Sequence, residues 1–335
     1  MAKLPAEYKE YFLPEFTGID KLTIRTVPMP ALDATSVLVK VHAVSLQYRD
    51  IVVASGLYPL PINPGIIPAS DMAGEIVAVG SAVTKGYAVG DRVVANFNMP
   101  GYLFGDLGAE VDGVLAEYKV FAADDRRLVH MPENLTYEEA SVLPCAGLTA
   151  FTALTDPVPI KAGDTLLVQG TGGVSVLAAQ FALVSGAKVI MTSSSQKKLD
   201  EVAKAIGLPS ENLINYHTTP DWDKRVLELT GGKGVDHVVE IGGPETLTKS
   251  LNCTTKNGAV HITGMLTLIL FKTLTVRGIG MGDRKVFDAM NKVVAGTGMK
   301  PFVGRTFSFA QAKDAYNAMA AHSHVGKVVI RVSEQ

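Results

Sequence analysis

The chain has little cysteine, no strong charge of either sign and no long apolar run, and each shortage removes a class of protein. Cys145 and Cys253 are the two cysteines among 335 residues. Two thiols leave room for one disulfide but give no framework of the kind that staples small secreted domains. The formal net charge is −2 and Lys-Arg runs are absent, so no electrostatic feature points to nucleic acid or an anionic membrane as a partner. The longest apolar stretches fall far short of the roughly 20 residues needed to cross a bilayer. Residues 1–20 lack the charged-then-apolar order of a signal segment. No repeat or low-complexity tract stands out. A cytoplasmic protein with a small-molecule partner is the expectation.

What is present suits an enzyme. Apolar residues make up 47% of the chain and charged residues 19%, and the length is comfortable for two domains, each with its own core. The first part reads as β-rich. Residues 37–44 (VLVKVHAV) alternate as a strand does, 74–79 (GEIVAV) and 92–95 follow suit, and Gly/Pro clusters separate them. After about residue 135 the rhythm changes. Residues 165–169 (TLLVQ) form a short apolar run of the kind buried on both faces of a sheet. Strands at 188–192, 212–215, 235–240, 259–263 and 273–277 alternate with helices at 174–185, 196–206 and 223–229. That alternation predicts an α/β fold with a doubly wound parallel sheet. The tail holds a helix-spaced stretch, 309–321, and a last strand, 327–332. A lone strand needs a sheet, so this one is expected to return to the first domain. The expected domains are 1–128, completed by 299–335, and 129–298.

The strand at 165–169 runs into Gly170, Thr171, Gly172, Gly173, Val174 and Ser175 and then into a helix. Glycine at 170 permits a sharp exit from the strand. Glycine at 172 lets backbone approach a pyrophosphate, whose charge the helix N-terminus meets. Ser175 stands where a third glycine is usual and is small enough for close helix–strand packing. A glycine triplet alone marks many tight loops. Here the strand before, the helix after and the second strand about twenty residues on point to a dinucleotide. The second strand ends at Ser193-Ser194-Ser195 with Lys197 and Lys198 following, and no acidic residue occurs before Asp200. Hydroxyls and a lysine suit a 2′-phosphate better than a bare ribose. The expected cofactor is NADPH rather than NADH.

Eight segments in this order, VLVKVHAVSLQYRD, GEIVAVG, VGDRVVA, DGVLAEY, LPCAGLTAF, VQGTGGVS, INY and GKVVIR, span most of the chain. Together they resemble the medium-chain dehydrogenase/reductase superfamily, most closely its zinc-free quinone-oxidoreductase-like and zinc-type alcohol dehydrogenase-like members. The resemblance implies a β-rich GroES-like catalytic domain joined to a Rossmann domain, with the cofactor in the cleft between them. It implies pyrophosphate contacts at 170–175 and 2′-phosphate contacts at Ser195, Lys198 and Tyr216, with Ser193 as a helper. It further implies a nicotinamide contact at Thr149, and a lining for ribose and carboxamide at Ile241, Gly242, Thr263, Gly264 and Met265. Related chains often join into dimers at the sheet edge, so the apolar run 265–271 is either a homodimer segment or part of the core.

The zinc-dependent branch of that superfamily carries a Cys, a His-Glu pair and a second Cys. Motif alignment places Gln47, Ser70-Asp71 and Cys145 there, and one thiol cannot stand in for three ligands. No zinc is expected at this position, and none at a structural loop within 96–117, which has no cysteine. His42 and His130 read as packed or surface side chains, and His322 and His324 as a polar turn rather than a metal site. Without a Lewis acid the easiest chemistry is hydride addition to an activated C=C bond or a quinone, because charge then moves to an oxygen that one or two hydrogen-bond donors can stabilise. Tyr48, with Gln47 beside it, is the expected donor; a packing aromatic at that position is the other reading. Arg49 and Asp50 pair locally or touch the cofactor. The aromatic, glycine-rich segment 96–112, with Phe97, Tyr102 and Phe104, either roofs a substrate pocket or packs on itself. Two alternatives stand beside this reaction: reduction of C=O, as in an alcohol dehydrogenase or ketone reductase, and an auxiliary NADPH-binding role in a biosynthetic complex.

Overall fold

The computed structural model describes residues 4–97, 106–124, 127–262, 275–279 and 282–333. They divide into two compact units, Met1–Cys145 with Asp283–Gln335, and Ala146–Gly282. The division falls at 145/146 and 282/283 because the strand Leu128–His130 and the helix Arg284–Thr297 belong with the first unit. Arg284 donates to the Leu128 carbonyl and Asn291 to that of His130.

In chain order the first unit opens with β1 (Glu7–Phe12), β2 (Thr23–Pro28), β3 (Ser36–Ser45), α1 (Tyr48–Ala54), β4 (Asp71–Val79), β5 (Arg92–Ala95), β6 (Tyr118–Ala122), β7 (Leu128–His130) and α2 (Tyr137–Ser141). The second unit holds α3 (Leu148–Thr155), β8 (Thr165–Gln169), α4 (Gly173–Val184), β9 (Lys188–Ser193), α5 (Gln196–Ile206), β10 (Leu213–Asn215), α6 (Trp222–Leu229), β11 (Val235–Glu240), α7 (Pro244–Asn252), β12 (Thr254–Ile262) and β13 (Thr275–Gly278). The chain returns to the first unit with α8 (Arg284–Thr297), β14 (Val303–Ser308), α9 (Ala312–Ala320) and β15 (Lys327–Arg331).

The first unit is built on β3. One edge pairs with β4, while the other is shared, β6 taking residues 36–40 and β15 taking 43–45. The terminal strand thus joins the first-made sheet, as a strand of that composition requires. Its core holds Val37, Val39, Val41 and Val44 of β3 against Met72, Ile76, Val328 and Ile330. α8 buries Phe287, Met290 and Val294 at helical spacing, each worth about 1.5–3 kcal/mol relative to exposure.

The six strands among the described residues of the second unit are all parallel, in the order β10-β9-β8-β11-β12-β13. Counted from β8 this is 3-2-1-4-5-6, the doubly wound order with its switch point between β8 and β11. Leu166, Leu167 and Val168 of β8 are fully buried, as a central strand covered on both faces demands. α3 lies on α4, where Phe151 meets Phe181 edge to face at 5.3 Å. No helix among the described residues is long and apolar enough to cross a membrane.

Candidate functional site

The turn after β8 has the features of an anion seat. Gly170 has φ of +72°, a left-handed backbone that side chains other than glycine's adopt only with strain. A Cβ built at Gly170 or Gly172 would meet no heavy atom within 4 Å, so open space lies over the turn. Gly172 caps α4 without a side-chain hydrogen bond, and the first turn carries no acidic residue. The leading N–H groups of the helix are left for an external acceptor. Ser175 is buried and donates its hydroxyl proton to the Gln169 carbonyl at 2.5 Å. This bond back to the strand accounts for serine at the third glycine position. Thr171 is buried, and Gly173 and Val174 are half-exposed.

The ends of β9 and β10 and the start of α5 bring together Ser193, Ser195, Lys198 and Tyr216. Ser193 closes β9 opposite Asn215, and its carbonyl accepts the Tyr216 N–H at 3.0 Å. Its hydroxyl oxygen accepts the Ser195 N–H at 3.4 Å. Ser195 caps α5 by accepting the Lys198 N–H. Asp200 sits one turn into the helix, where its carboxylate accepts from Gln196 at 2.8 Å. Thr149 lies half-buried on α3, and Ile241 and Gly242 follow the end of β11. Thr263, Gly264 and Met265 lie outside the described residues, as do Tyr102, Phe104 and the whole 265–271 run.

In the first unit, Gln47, Asp71 and Cys145 converge, as their alignment with the metal-ligand positions leads one to expect, and they bond to each other. Asp71 is fully buried at the start of β4. Its Oδ2 accepts from Gln47 Nε2 and from the Cys145 N–H, and its Oδ1 accepts from the Ser70 hydroxyl at 2.7 Å. Burial pushes this carboxyl up to about 6, against the pull of the Lys327 charge. Burial, with the Asp71 charge adding to it, pushes the Cys145 thiol up to about 12. Lys327 is buried too, donates to the Leu46 carbonyl and has its pKa lowered by the same desolvation. Asp50 accepts the Gln47 N–H at 2.7 Å, and burial raises its carboxyl. Among the described residues, no three His, Cys, Asp or Glu side chains are grouped to hold a metal ion.

Arg49 is engaged locally. It donates to the Leu107 carbonyl at 2.9 Å, lies 3.8 Å from Asp106, and sits over the rings of Tyr58 and Phe97. Phe97 is accordingly buried beneath a guanidinium. Tyr48 begins α1 with 57% of its surface exposed. Its ring stacks on His322, centroids 5.4 Å apart and planes 26° apart. His322 reaches that position from the turn after α9 with a left-handed φ of 48°. Sequence reading placed His322 in a polar turn and missed its partner, which comes from the far end of the chain. His42 stacks on Tyr137 and accepts or donates at Ser333; burial lowers it to about 4. His130 pairs with Asp91 at 3.1 Å on the surface.

Comparisons with known proteins agree with both halves of this geometry. Residues 33–133 match the family described as alcohol dehydrogenase GroES-like domain, and residues 173–296 the family described as zinc-binding dehydrogenase. A zinc-type alcohol dehydrogenase-like protein of Schizosaccharomyces pombe is 39% identical, covering 95% of this chain and 97% of its own. A quinone oxidoreductase of Pseudomonas aeruginosa is 30% identical over 88% of this chain and 90% of its own. The crystal structure of a putative alcohol dehydrogenase from Sinorhizobium meliloti superposes with a TM-score of 0.90 at 34% identity, covering 98% of this chain and all of that one.

Proposed function

This chain belongs to the medium-chain dehydrogenase/reductase superfamily of NAD(P)-dependent oxidoreductases, and on that premise we propose that its reaction is metal-free hydride transfer from NADPH to an activated C=C bond or a quinone. One observation carries the metal-free part. The position where zinc-dependent relatives hold their ion is filled by a carboxamide donating to a carboxylate, beside a thiol that burial keeps protonated. Zinc takes thiolate, neutral imidazole or carboxylate donors. A Gln47 N–H aimed at Asp71 offers no lone pair to an ion, and the donor set does not fit one.

The choice of cofactor rests on the second unit. An uncapped helix start under open space suits a pyrophosphate. Ser193, Ser195, Lys198 and Tyr216 supply hydroxyls and an ammonium for a 2′-phosphate, and no acidic side chain stands in that turn to repel it. When bound, the reduced nicotinamide supplies the hydride. The chain's own task is to position it, exclude water and stabilise the charge that develops on the acceptor's oxygen. Tyr48, half open at the start of α1 and braced by His322, is the group assigned to donate a hydrogen bond or proton to that oxygen.

A reading in which the C=O group is reduced draws on the alcohol dehydrogenase-like relative at 39% identity. Product analysis separates the two. Purified protein incubated with NADPH and an enone should yield the saturated ketone, keep its rate in excess EDTA and contain less than about a tenth of an equivalent of zinc. An allylic alcohol as the product supports C=O reduction. Stoichiometric zinc at Cys145 overturns the metal-free reading.

A further inference from the structure

The strands flanking the switch point, β8 and β11, end in Gln169 and Glu240. Both side chains are buried, at 7% and 3% exposure, at the ends of the two strands that flank the switch point. Their polar atoms are spent on each other and on one loop. Gln169 Nε2 donates to Glu240 Oε2 and to Ser250 Oγ, each at 2.6 Å. Gln169 Oε1 accepts the N–H of Gly242 at 3.0 Å and of Ile241 at 3.3 Å. Glu240 Oε1 accepts the N–H of Gly243 at 3.0 Å and the Thr246 hydroxyl at 2.5 Å. The Ser250 hydroxyl closes the circuit on Glu240 Oε2. Three successive backbone N–H groups are therefore held from below by two side chains.

A three-residue turn from strand to helix does not need such support, because Gly243, with φ of 77°, already supplies the reversal. What the network fixes is the face the loop presents. Ile241 is 48% exposed above a backbone tied down from beneath. A dinucleotide with its pyrophosphate at α4 and its 2′-phosphate over β9 and β10 must send its other half across the switch point towards β11. We propose that Gln169 is a positioning residue for the nicotinamide half of the cofactor, locking Ile241–Gly242–Gly243 into the shape that receives it. This rests on the reading that the second unit holds NADPH.

Gln169→Leu keeps the side-chain volume close and removes both ends of the amide. The experiment measures binding of NADPH and of 2′,5′-ADP, the fragment that lacks the nicotinamide half, to the full chain. The variant should bind NADPH about tenfold more weakly while holding 2′,5′-ADP within about twofold, because only one half of the ligand loses a preformed surface. Amide exchange at Ile241 and Gly242, measured without any cofactor, should quicken by at least about tenfold. Equal weakening of both ligands, or unchanged NADPH affinity, overturns the assignment. Ser250→Ala, which removes a single hydroxyl, guards against a variant that fails to fold. It should weaken NADPH about threefold and spare 2′,5′-ADP, and a variant equal to wild type in affinity and in exchange counts against the proposal. Wild-type protein that binds neither ligand defeats the NADPH reading and this inference together. Wild-type binding combined with an indifferent Gln169→Leu defeats this inference alone.

Discussion

Each unit buries a carboxylate beneath its candidate site, and the two are surrounded in different ways. Asp71 is reached by donors from separate segments, Gln47, Ser70 and the Cys145 backbone, and it feels the buried Lys327 ammonium. Glu240 is reached by neutral donors alone, and Gly243, Thr246 and Ser250 all come from the loop and helix that follow it. The first arrangement balances charge among elements far apart in sequence, so it responds to protonation. The second holds backbone in place, so it responds to geometry. The Asp71 carboxyl, the Cys145 thiol and the Lys327 ammonium act on one another in that space, where a single unpaired charge costs several kcal/mol. The nucleotide end of a Rossmann sheet keeps its shape with hydrogen bonds.

Four measurements sharpen that contrast, beginning with the largest effect. Gly172→Asp should weaken NADPH about a thousandfold with little change in Tm, because the added side chain meets open space in the apoprotein yet brings a negative charge to the pyrophosphate seat. Calorimetric titration with retained affinity would remove the turn from the site. Asp71→Asn addresses the other unit. Folded Asp71 keeps its proton up to about pH 6, whereas the unfolded chain releases it near the ordinary 3.8. Its ionisation therefore erodes stability as pH rises through that window and costs about 3 kcal/mol above it. His42, lowered to about 4, contributes the opposite slope over the same range, so the informative quantity is the difference between variant and wild type. Urea unfolding should show that difference moving in favour of the variant by about 3 kcal/mol between about pH 3 and pH 7, and a flat difference rejects the charge-balance account.

Tyr48→Phe comes third. It should lower kcat/KM for enones about a hundredfold and leave NADPH affinity alone, the lower end of the usual scale for loss of a positioned proton donor. Equal activity would reduce Tyr48 to a packing aromatic. Smallest is Lys198→Ala, for which affinity should fall about tenfold for NADPH and stay level for NADH, since only the 2′-phosphate calls for the ammonium. A parallel loss for both nucleotides would place Lys198 away from that phosphate.

Much of the second unit is legible in its sequence. Periodicity gives β8, α5 and β11 to the residue, 165–169, 196–206 and 235–240, because parallel strands covered on both faces are short apolar runs and the surface helices are strongly amphipathic. The first unit is harder to read. The β1–β2 hairpin, with its mixed polar sequence, and β14, mostly half-exposed or exposed, carry too weak an alternation to register. The short α1 hides inside a motif read for its chemistry. Convergence of Gln47, Asp71 and Cys145 follows from the superfamily resemblance, while Lys327 beneath them and His322 against Tyr48 come from the last strand and the turn before it. No local pattern announces a partner so distant. Gln169 and Glu240 were visible only as polar residues ending apolar strands. What joins them is register, since β8 and β11 become neighbours only when the doubly wound order forms.

The route of the chain has a consequence for its synthesis. Every strand of the second unit lies between residues 146 and 282, so that sheet can complete while the tail is still being made. The first unit emerges earliest and waits longest: β3 lacks its β15 neighbour, and the Leu46 carbonyl its lysine, until residue 331 has left the ribosome. A polypeptide arrested before residue 327 would carry a finished nucleotide fold beside an open-edged partner.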